Sequence, residues 1–319
     1  MVRDRSVKTA AQRAGCKGEN RMLSPLPAYA DGRIYMKNVK ETVMHGVFLI
    51  AACVSVLAVA LICIFLFANG LPAIAKIGPI KFLTGIKWKP MNEIFGIFPM
   101  IVGSIYVTAG AILVGVPIGI LCAVFMARFC PKKIYPILKP AIELMAGIPS
   151  IVYGFFGLVV IVPIIQQLTG TSGKGVLTAS VLLGIMILPT IIGVSESAIR
   201  AVPESYYEGA LALGDTHERS VFCAVLPAAK SGIMAGVILG VGRAIGETMA
   251  VIMVAGNQPV IPGSVLAGVR TMTANIVLEM GYAAGLHREA LIATGVVLFV
   301  FILIINVLFS LIKKGDSNG

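Results

Sequence analysis

Charged residues are scarce in this chain, making up 13% of its 319 residues, whereas soluble globular domains carry about 25%. The deficit is concentrated in three long stretches without any charge, which lie between Glu93 and Arg128, between Glu143 and Lys174, and between Glu289 and Lys313. An apolar run of about 20 residues is long enough to cross a bilayer as a helix. The pattern excludes an ordinary soluble domain and predicts an all-α membrane protein.

Several signals of chemistry are also missing from the sequence. The six cysteines form no Cys-x-x-Cys pair and no metal-ligand spacing with the scattered histidines His45, His217 and His287, so neither a metal site nor a membrane enzyme is predicted. No Gly-x4-Gly-Lys-Ser/Thr loop occurs, and the chain is not expected to bind ATP by such a loop. The net charge of +11 comes without a compact basic patch, so we expect membrane lipid and not nucleic acid around it.

Six spans are predicted from the apolar runs, at Val43–Ala68, Phe95–Ala127, Ile142–Leu168, Val176–Ser195, Pro227–Ala255 and Ala290–Ile312. Together they define a transmembrane domain over 43–312. Residues 1–42 are interpreted as a cytoplasmic tail, partly disordered, and residues 313–319 as a short cytoplasmic tail.

The distribution of Lys and Arg predicts the orientation of these spans. The two tails and the segments 128–140 and 200–230 contain 18 of them, and the alternate segments 69–95, 169–175 and 257–289 contain 7. Because cytoplasmic loops carry the excess of positive charge, both termini are predicted to be cytoplasmic. Segment 69–95 departs from this rule, since it holds four lysines on the predicted outer side.

Small residues recur at helical spacing in two of the spans. Gly115 and Gly119 form one Gly-x3-Gly pair, and the fifth span holds two more, Gly236 with Gly240 and Gly242 with Gly246. Such pairs let helices approach closely in lipid. The fifth span is therefore predicted to be buried among other helices, although generic packing explains the glycines equally well.

The segment 200–230 has more structure than a plain connector. Pro203 suits the start of a helix, Glu204 and Glu208 lie near its positive end, and Gly214 is placed to end it. A second short helical stretch then leads to Pro227. We predict two short helices on the cytoplasmic surface.

That segment resembles the EAA loop of ABC-importer permeases, which reads Glu-Ala-Ala, three residues, Gly, nine residues, Ile-x-Leu-Pro. The matching positions are Glu208, Ala210, Gly214, Leu226 and Pro227, with every spacing kept, while Gly209 and Ala224 depart from the pattern. The resemblance implies that the loop docks on a separate ATPase subunit, which binds the ATP. No catalysis and no cofactor are then expected on this chain.

The fifth span contains a charged pair, Arg243 and Glu247, near its middle. An arginine at the bilayer centre costs on the order of 2.5–3.5 kcal/mol, and such residues face a bundle interior or an aqueous path. The i, i+4 spacing predicts that both lie on one helical face and can pair. They are either a structural ion pair or the lining of an anion pathway, in which Arg offers a planar fork of donors to an oxyanion.

Two further strings resemble PstC-type permease subunits of bacterial phosphate importers, namely GRAIGETMAV from Gly242 and the segment 82–104. The resemblance covers about 43–312. It implies a type I importer fold and phosphate movement past Arg243 and Glu247. It also implies a PstA-like second permease, two PstB-like ATPase subunits and a PstS-like extracytoplasmic binding protein, all at the inner membrane. A PstA-type subunit, a permease for sulfate, molybdate or phosphonate, and a secondary carrier or channel remain alternatives.

Overall fold

The computed structural model describes the backbone of residues 29–315 and the side chains of 41–308 and of Leu311. Within these bounds the chain forms thirteen α-helices and a pair of two-residue strands. The helices are α1 (Tyr29–Ile77), α2 (Pro79–Thr84), α3 (Phe98–Val124), α4 (Tyr135–Gly147), α5 (Ser150–Phe156), α6 (Val162–Thr169), α7 (Val176–Arg200), α8 (Glu204–Ala212), α9 (His217–Ser220), α10 (Leu226–Gly246), α11 (Met249–Val254), α12 (Met272–Met280) and α13 (Gly285–Gly315). The strands are β1 (Trp88–Lys89) and β2 (Ile94–Phe95), joined by a 3-10 turn at Pro90–Asn92.

A π-helical turn at Phe125–Phe129 extends α3, and two more, at Gly157–Ile161 and Val221–Val225, join neighbouring helices into longer ones. With these joins, six helices of the described region are long and apolar enough to cross a membrane. They are Glu41–Ile77, Phe98–Phe129, Ser150–Thr169, Val176–Arg200, His217–Gly246 and Gly285–Leu308. The predicted class, an all-α protein with six spans, is confirmed.

Helix α1 begins at Tyr29, inside the segment that the sequence analysis interpreted as a tail. The rest of that segment, 1–28, and the C-terminal residues 316–319 lie outside the described residues. The chain divides into two units after Leu61. The larger unit is Ile62–Gly319.

Helix α7 is the centre of this unit, and the fifth span, which was predicted to be buried among other helices, packs against it through α10. In the most apolar stretch of α7, 67% of the residues are buried, against 33% in the fifth span. Two of the Gly-x3-Gly pairs allow the neighbouring helices α3 and α10 to pack closely against α7. A Cβ on Gly115 would lie 2.8 Å from the Gly184 carbonyl oxygen, and one on Gly240 would lie 2.7 Å from Ile191. A Cβ on Gly242 or on Gly246 would meet no atom of the described residues within 4 Å, so that pair does not serve close packing there.

The predicted third span, Ile142–Leu168, is interrupted in the structure. Helix α4 ends at Gly147, and Ile148 is extended with φ −69° and ψ 127°. The residue before a proline is pushed out of the helical region, so Pro149 forces this break. The span itself begins at Ser150.

The connecting segments gather at two ends of the helix bundle. One end, called here the hairpin end, holds the β1–β2 hairpin and the segments that follow α6 and α11. There the backbone N–H of Gly175 donates to Val254 and Val269 bridges Gly256. The other end, called here the loop end, holds α4 and α8.

Candidate substrate pathway and coupling loop

The fifth span is broken at the charged pair. Helix α10 ends at Gly246, Glu247 is extended with φ −69° and ψ 131°, and a new helix begins at Met249. The sequence analysis predicted one continuous span to Ala255, so this is a correction. Non-helical backbone at membrane depth is tolerated where it is buried in protein or lines a water-filled cavity. Discontinuous helices of this kind often form substrate sites near the midplane of transporters.

Arg243 is the last basic residue of α10 before the break. Its side chain is half-buried, and its Nη1 donates to the Thr190 hydroxyl of α7 over 3.2 Å. Among the side chains that the structure describes, no carboxylate lies within 4.0 Å of it. The guanidinium therefore keeps several unused donors next to the break.

Glu247 does not pair with Arg243, and the expectation that both share one helical face was wrong. The helix ends between them because the chain turns to the extended conformation at Glu247. The Glu247 Oε1 atom accepts from the backbone N–H groups of Thr248 and Ala250, at 3.1 and 3.2 Å. A carboxylate is favoured at a helix N-terminus, where backbone donors are unpaired. Its Oε2 has no partner among the described residues.

The break is held from outside by a neighbouring element. The Thr273 hydroxyl of α12 donates to the Glu247 carbonyl at 3.2 Å, and the Met272 N–H donates to Ser104 of α3 at 3.0 Å. Helix α12 is itself capped by Thr271, whose hydroxyl accepts from Ala274. The unwound backbone of Glu247 is thus satisfied by protein, which makes it a fixed feature of the fold.

The predicted EAA-like segment forms α8, followed by a tight helix end. Gly214 has φ +92°, its N–H donates to Leu211 at 2.9 Å, and the Asp215 N–H donates to Ala210 at 3.2 Å. These two bonds are the Schellman pattern, which favours glycine at the left-handed position. The prediction that Gly214 ends the helix is confirmed, and its reason is the backbone conformation.

The rest of the segment departs from the expected pair of separate helices. Helix α9, the π-turn Val221–Val225 and α10 run on as one span, so Leu226 and Pro227 lie inside it, at the first turn of α10. Glu208 is exposed, as are Tyr206 at 54% and Leu213 at 91%. Helix α8 therefore presents both charge and apolar area at the loop end.

Known transport proteins are similar to this chain in sequence. Residues 115–315 match the family described as the inner membrane component of binding-protein-dependent transport systems. The chain belongs to this family. The probable ABC transporter permease protein YqgH of Bacillus subtilis is 39% identical to it over 84% of this chain and 91% of the relative. The phosphate transport system permease protein PstC of Mesorhizobium japonicum is 36% identical over 83% and 87%.

A solved structure agrees with this assignment at the level of the fold. A chain in the crystal structure of a bacterial ABC transporter involved in the import of the acidic polysaccharide alginate superposes with a TM-score of 0.60 and 14% identity. The match covers 87% of this permease and 98% of that chain. The ABC-importer permease fold is confirmed. Membership of the binding-protein-dependent transport family implies a separate ATPase and a substrate-binding protein as partners.

In this permease, α8 is tied to the end of the second span. Arg128 Nη1 lies 2.9 Å from a Glu204 carboxylate oxygen, and the Tyr207 hydroxyl lies 2.7 Å from Nδ1 of His217. The His217 ring also packs edge-on against Phe129 at 4.8 Å. Helix α8 thus contacts the second and fifth spans through side-chain pairs that the sequence analysis did not predict.

A buried carboxylate that the sequence analysis missed lies further along α7. Glu196 is 1% exposed and accepts from Tyr135, Lys139 and Arg200 at 2.7, 2.5 and 2.7 Å. Its hydrogen bonds raise the pKa of Lys139 and of Tyr135 above their usual values. The fourth span was predicted to end at Ser195, one residue before this carboxylate, so Glu196 was placed outside the membrane-spanning helix. No sequence pattern indicated the cluster, which holds α4 against the permease core.

A second buried carboxylate, Glu279 of α12, organises the hairpin end. It is 6% exposed and accepts from Trp88 Nε1 at 2.8 Å and from Arg270 at 2.6 Å, while His287 Nε2 lies 2.8 Å away. Trp88 is distant in sequence from the other three, which lie within 270–287, and only the fold shows that the four residues form one network.

Proposed function

We propose that this permease is the PstC-type subunit of an ATP-driven phosphate importer. The relatives that carry phosphate transport in their names support the substrate, because they match most of the chain. In this proposal the permease pairs with a PstA-like subunit, two PstB-like subunits bind ATP, and a PstS-like protein delivers phosphate from outside. The chain itself catalyses no reaction and holds no cofactor.

The geometry at the break carries the proposed pathway. Arg243 presents donors that no described carboxylate neutralises, and guanidinium groups match oxyanions well. Glu247 uses Oε1 to cap α11 and leaves Oε2 without a described partner. A phosphate that keeps a proton donates a hydrogen bond to this oxygen, whereas fully ionised sulfate has no proton to donate and is repelled. Arg243 therefore attracts the anion and Glu247 selects the protonated one.

In the proposed orientation both termini lie in the cytoplasm, as the distribution of Lys and Arg predicts. The loop end then faces the ATPase subunits, and the exposed Glu208 of α8 docks there together with the exposed Leu213 just after the helix. Ala210 and Gly214 shape the helix and its end, while Leu226 and Pro227 lead into α10. The hairpin end faces the binding protein.

Uptake of labelled phosphate tests the proposal in cells that lack their own phosphate-importer permease and receive this chain with its partners. Intact permease should restore uptake, and excess sulfate should not compete. Arg243→Ala should abolish uptake, because the anion loses its charged partner. Glu247→Gln keeps an oxygen for the α11 cap but replaces the free acceptor by a donor, so sulfate should begin to compete.

The coupling role is tested in the same cells with Glu208→Lys, which should abolish uptake while the protein still inserts. Glu143→Lys is the matched control, since Glu143 is also an exposed carboxylate at the loop end but lies outside α8. No uptake by the intact permease with its partners present, or efficient competition by sulfate, would reject phosphate as the substrate. Equal loss in both charge reversals would reject a specific role for α8.

A further inference from the structure

The third span starts from a break of its own, at residues 147–149. Ile148 and Pro149 are extended, and the span begins at Ser150. All three residues of this break are exposed in the chain. Non-helical backbone at membrane depth is not tolerated against lipid, where its polar groups lack partners, but it is tolerated inside protein or along a water-filled cavity. What the break can face therefore depends on its depth.

This break lies level with the one at Glu247. A Cβ on Gly154 would lie 2.9 Å from the Ala250 Cα atom, and one on Gly157 would lie 2.9 Å from a Val254 methyl group. Because the two contacts advance together along the chain, the third span and α11 run side by side in the same direction. Counting back four residues from the first contact leads to the start of the third span on one side and to the end of α10 on the other.

The two breaks therefore share one depth in the membrane. Since the break at 147–149 is exposed at that depth, its backbone requires either water or the protein of a second subunit beside it. Arg243 lies at the same level, one turn before Glu247. Under the proposed function this level is where the anion passes, so the start of the third span lies beside the pathway.

The Tyr153 hydroxyl holds the two sides of this break together. Tyr153 is 7% exposed, and its hydroxyl donates to the Met145 carbonyl of α4 at 2.8 Å. In an uninterrupted helix that carbonyl accepts from the backbone N–H four residues later, but residue 149 is proline and has no N–H. Its backbone bond from Ile148 is long, at 3.4 Å. The phenol thus replaces the missing donor and ties the end of α4 to the third span.

The same tyrosine lies next to the proposed anion site. It belongs to one buried cluster with Ala244, the residue after Arg243, and with Ala250 of α11. The positive charge of the Arg243 guanidinium acts on the phenol. Because the hydroxyl hydrogen is used by Met145, only acceptor lone pairs remain free on the oxygen, and these suit a cationic neighbour. One side chain thus contacts the break and lies within the field of Arg243.

We propose that Tyr153 is a positioning residue of the anion site, because its hydroxyl fixes the break of the third span beside Arg243. The inference rests on the proposed pathway and adds a wall from another span to it. Without the hydroxyl, the Met145 carbonyl loses its best donor and the chain at 147–149 is free to shift. Tyr153 acts through this backbone and does not bind the anion itself.

The first measurement is phosphate import by the assembled transporter in proteoliposomes, expressed per ATP hydrolysed on stimulation by the phosphate-loaded binding protein. Tyr153→Phe removes only the hydroxyl. ATP hydrolysis should stay close to the intact rate, and phosphate imported per ATP should fall about fivefold, the factor that corresponds to one typical hydrogen bond. A purely structural defect would lower assembly, hydrolysis and import together and would leave the ratio unchanged.

The second measurement is amide hydrogen exchange over residues 145–152 in the same assembled transporter. Exchange should become faster in Tyr153→Phe, because the break opens more often when its tie is removed. Tyr106→Phe is the matched control, since Tyr106 also lies in a span but is 48% exposed and lines a cleft at the hairpin end. It should change neither the import ratio nor the exchange.

Three results would overturn the proposal. An unchanged import ratio in Tyr153→Phe would show that the hydroxyl does not serve the anion site, even if exchange becomes faster. Unchanged exchange would show that the hydroxyl does not hold the break. An equal fall of the ratio in Tyr106→Phe would show that any lost phenol hydroxyl has this effect.

Failure of the substrate assignment gives a different result from failure of this proposal. If the intact transporter imports sulfate and not phosphate, the ratio of anion to ATP is measured with sulfate. A fivefold lower sulfate ratio in Tyr153→Phe would reject phosphate and retain the role of Tyr153. An unchanged sulfate ratio would reject both.

Discussion

The Thr190 hydroxyl should matter for transport because it is the one described side chain that holds Arg243. The substitution Thr190→Val keeps the shape of the side chain and removes this acceptor. Hydrogen bonds to charged groups contribute about 1.5–3 kcal/mol. The distance of 3.2 Å is longer than the 2.7–2.9 Å of the strongest such bonds, which favours the low end of that range. A loss of about 1.5 kcal/mol corresponds to a roughly tenfold lower transport efficiency.

The assay compares phosphate uptake by Thr190→Val and Thr190→Ser at equal amounts of assembled transporter. Serine retains the hydroxyl and should remain within about threefold of the intact permease. A double-mutant cycle with Arg243→Lys separates positioning from general damage, because Thr190→Val should have little further effect when the guanidinium is gone. Equal rates for Thr190→Val and the intact permease, or fully additive losses in the cycle, would refute the reasoning.

Two glycine substitutions in the coupling segment should act in opposite directions. Gly209→Ala should stabilise α8 by about 0.5–1 kcal/mol, because a Cβ there meets no described atom within 4 Å. Amide hydrogen exchange in α8 should then slow a few-fold, and unchanged exchange would contradict this. Gly214→Ala should destabilise the helix end by about 1 kcal/mol or more, because Gly214 has φ +92°. Faster exchange of the α8 amides is expected, and equal or slower exchange would show that alanine is not strained at this turn.

Hydrophobic runs predicted the number and class of the spans because lipid imposes length and backbone pairing on every crossing segment. Their ends were less predictable. Pro149 ends the α4 segment through its effect on Ile148, and Phe95 joins a strand before the second span begins at Phe98. These boundaries depend on local conformations that composition does not encode. The glycine at 214 was predictable because a helix end has its own sequence preference.

The two buried carboxylates could not be predicted, for a different reason. Each of the two has partners far away in sequence, namely Tyr135 and Lys139 for Glu196 and Trp88 for Glu279, and only the packed fold brings those partners together. A single sequence shows a charged residue near the end of a span, which resembles an ordinary interfacial residue. Burial and partner count distinguish the two cases, and both are properties of the tertiary structure.

The break at Glu247 bears on the two interpretations that the sequence left open for Arg243. A structural ion pair would place both charges on one helix, where each neutralises the other and little attraction remains for an anion. The structure separates them, since Glu247 caps α11 while Arg243, among the described side chains, bonds only to the neutral hydroxyl of Thr190. A half-buried arginine without a described carboxylate beside it costs free energy in the membrane. That cost is offset when an anion binds, as the proposed pathway requires.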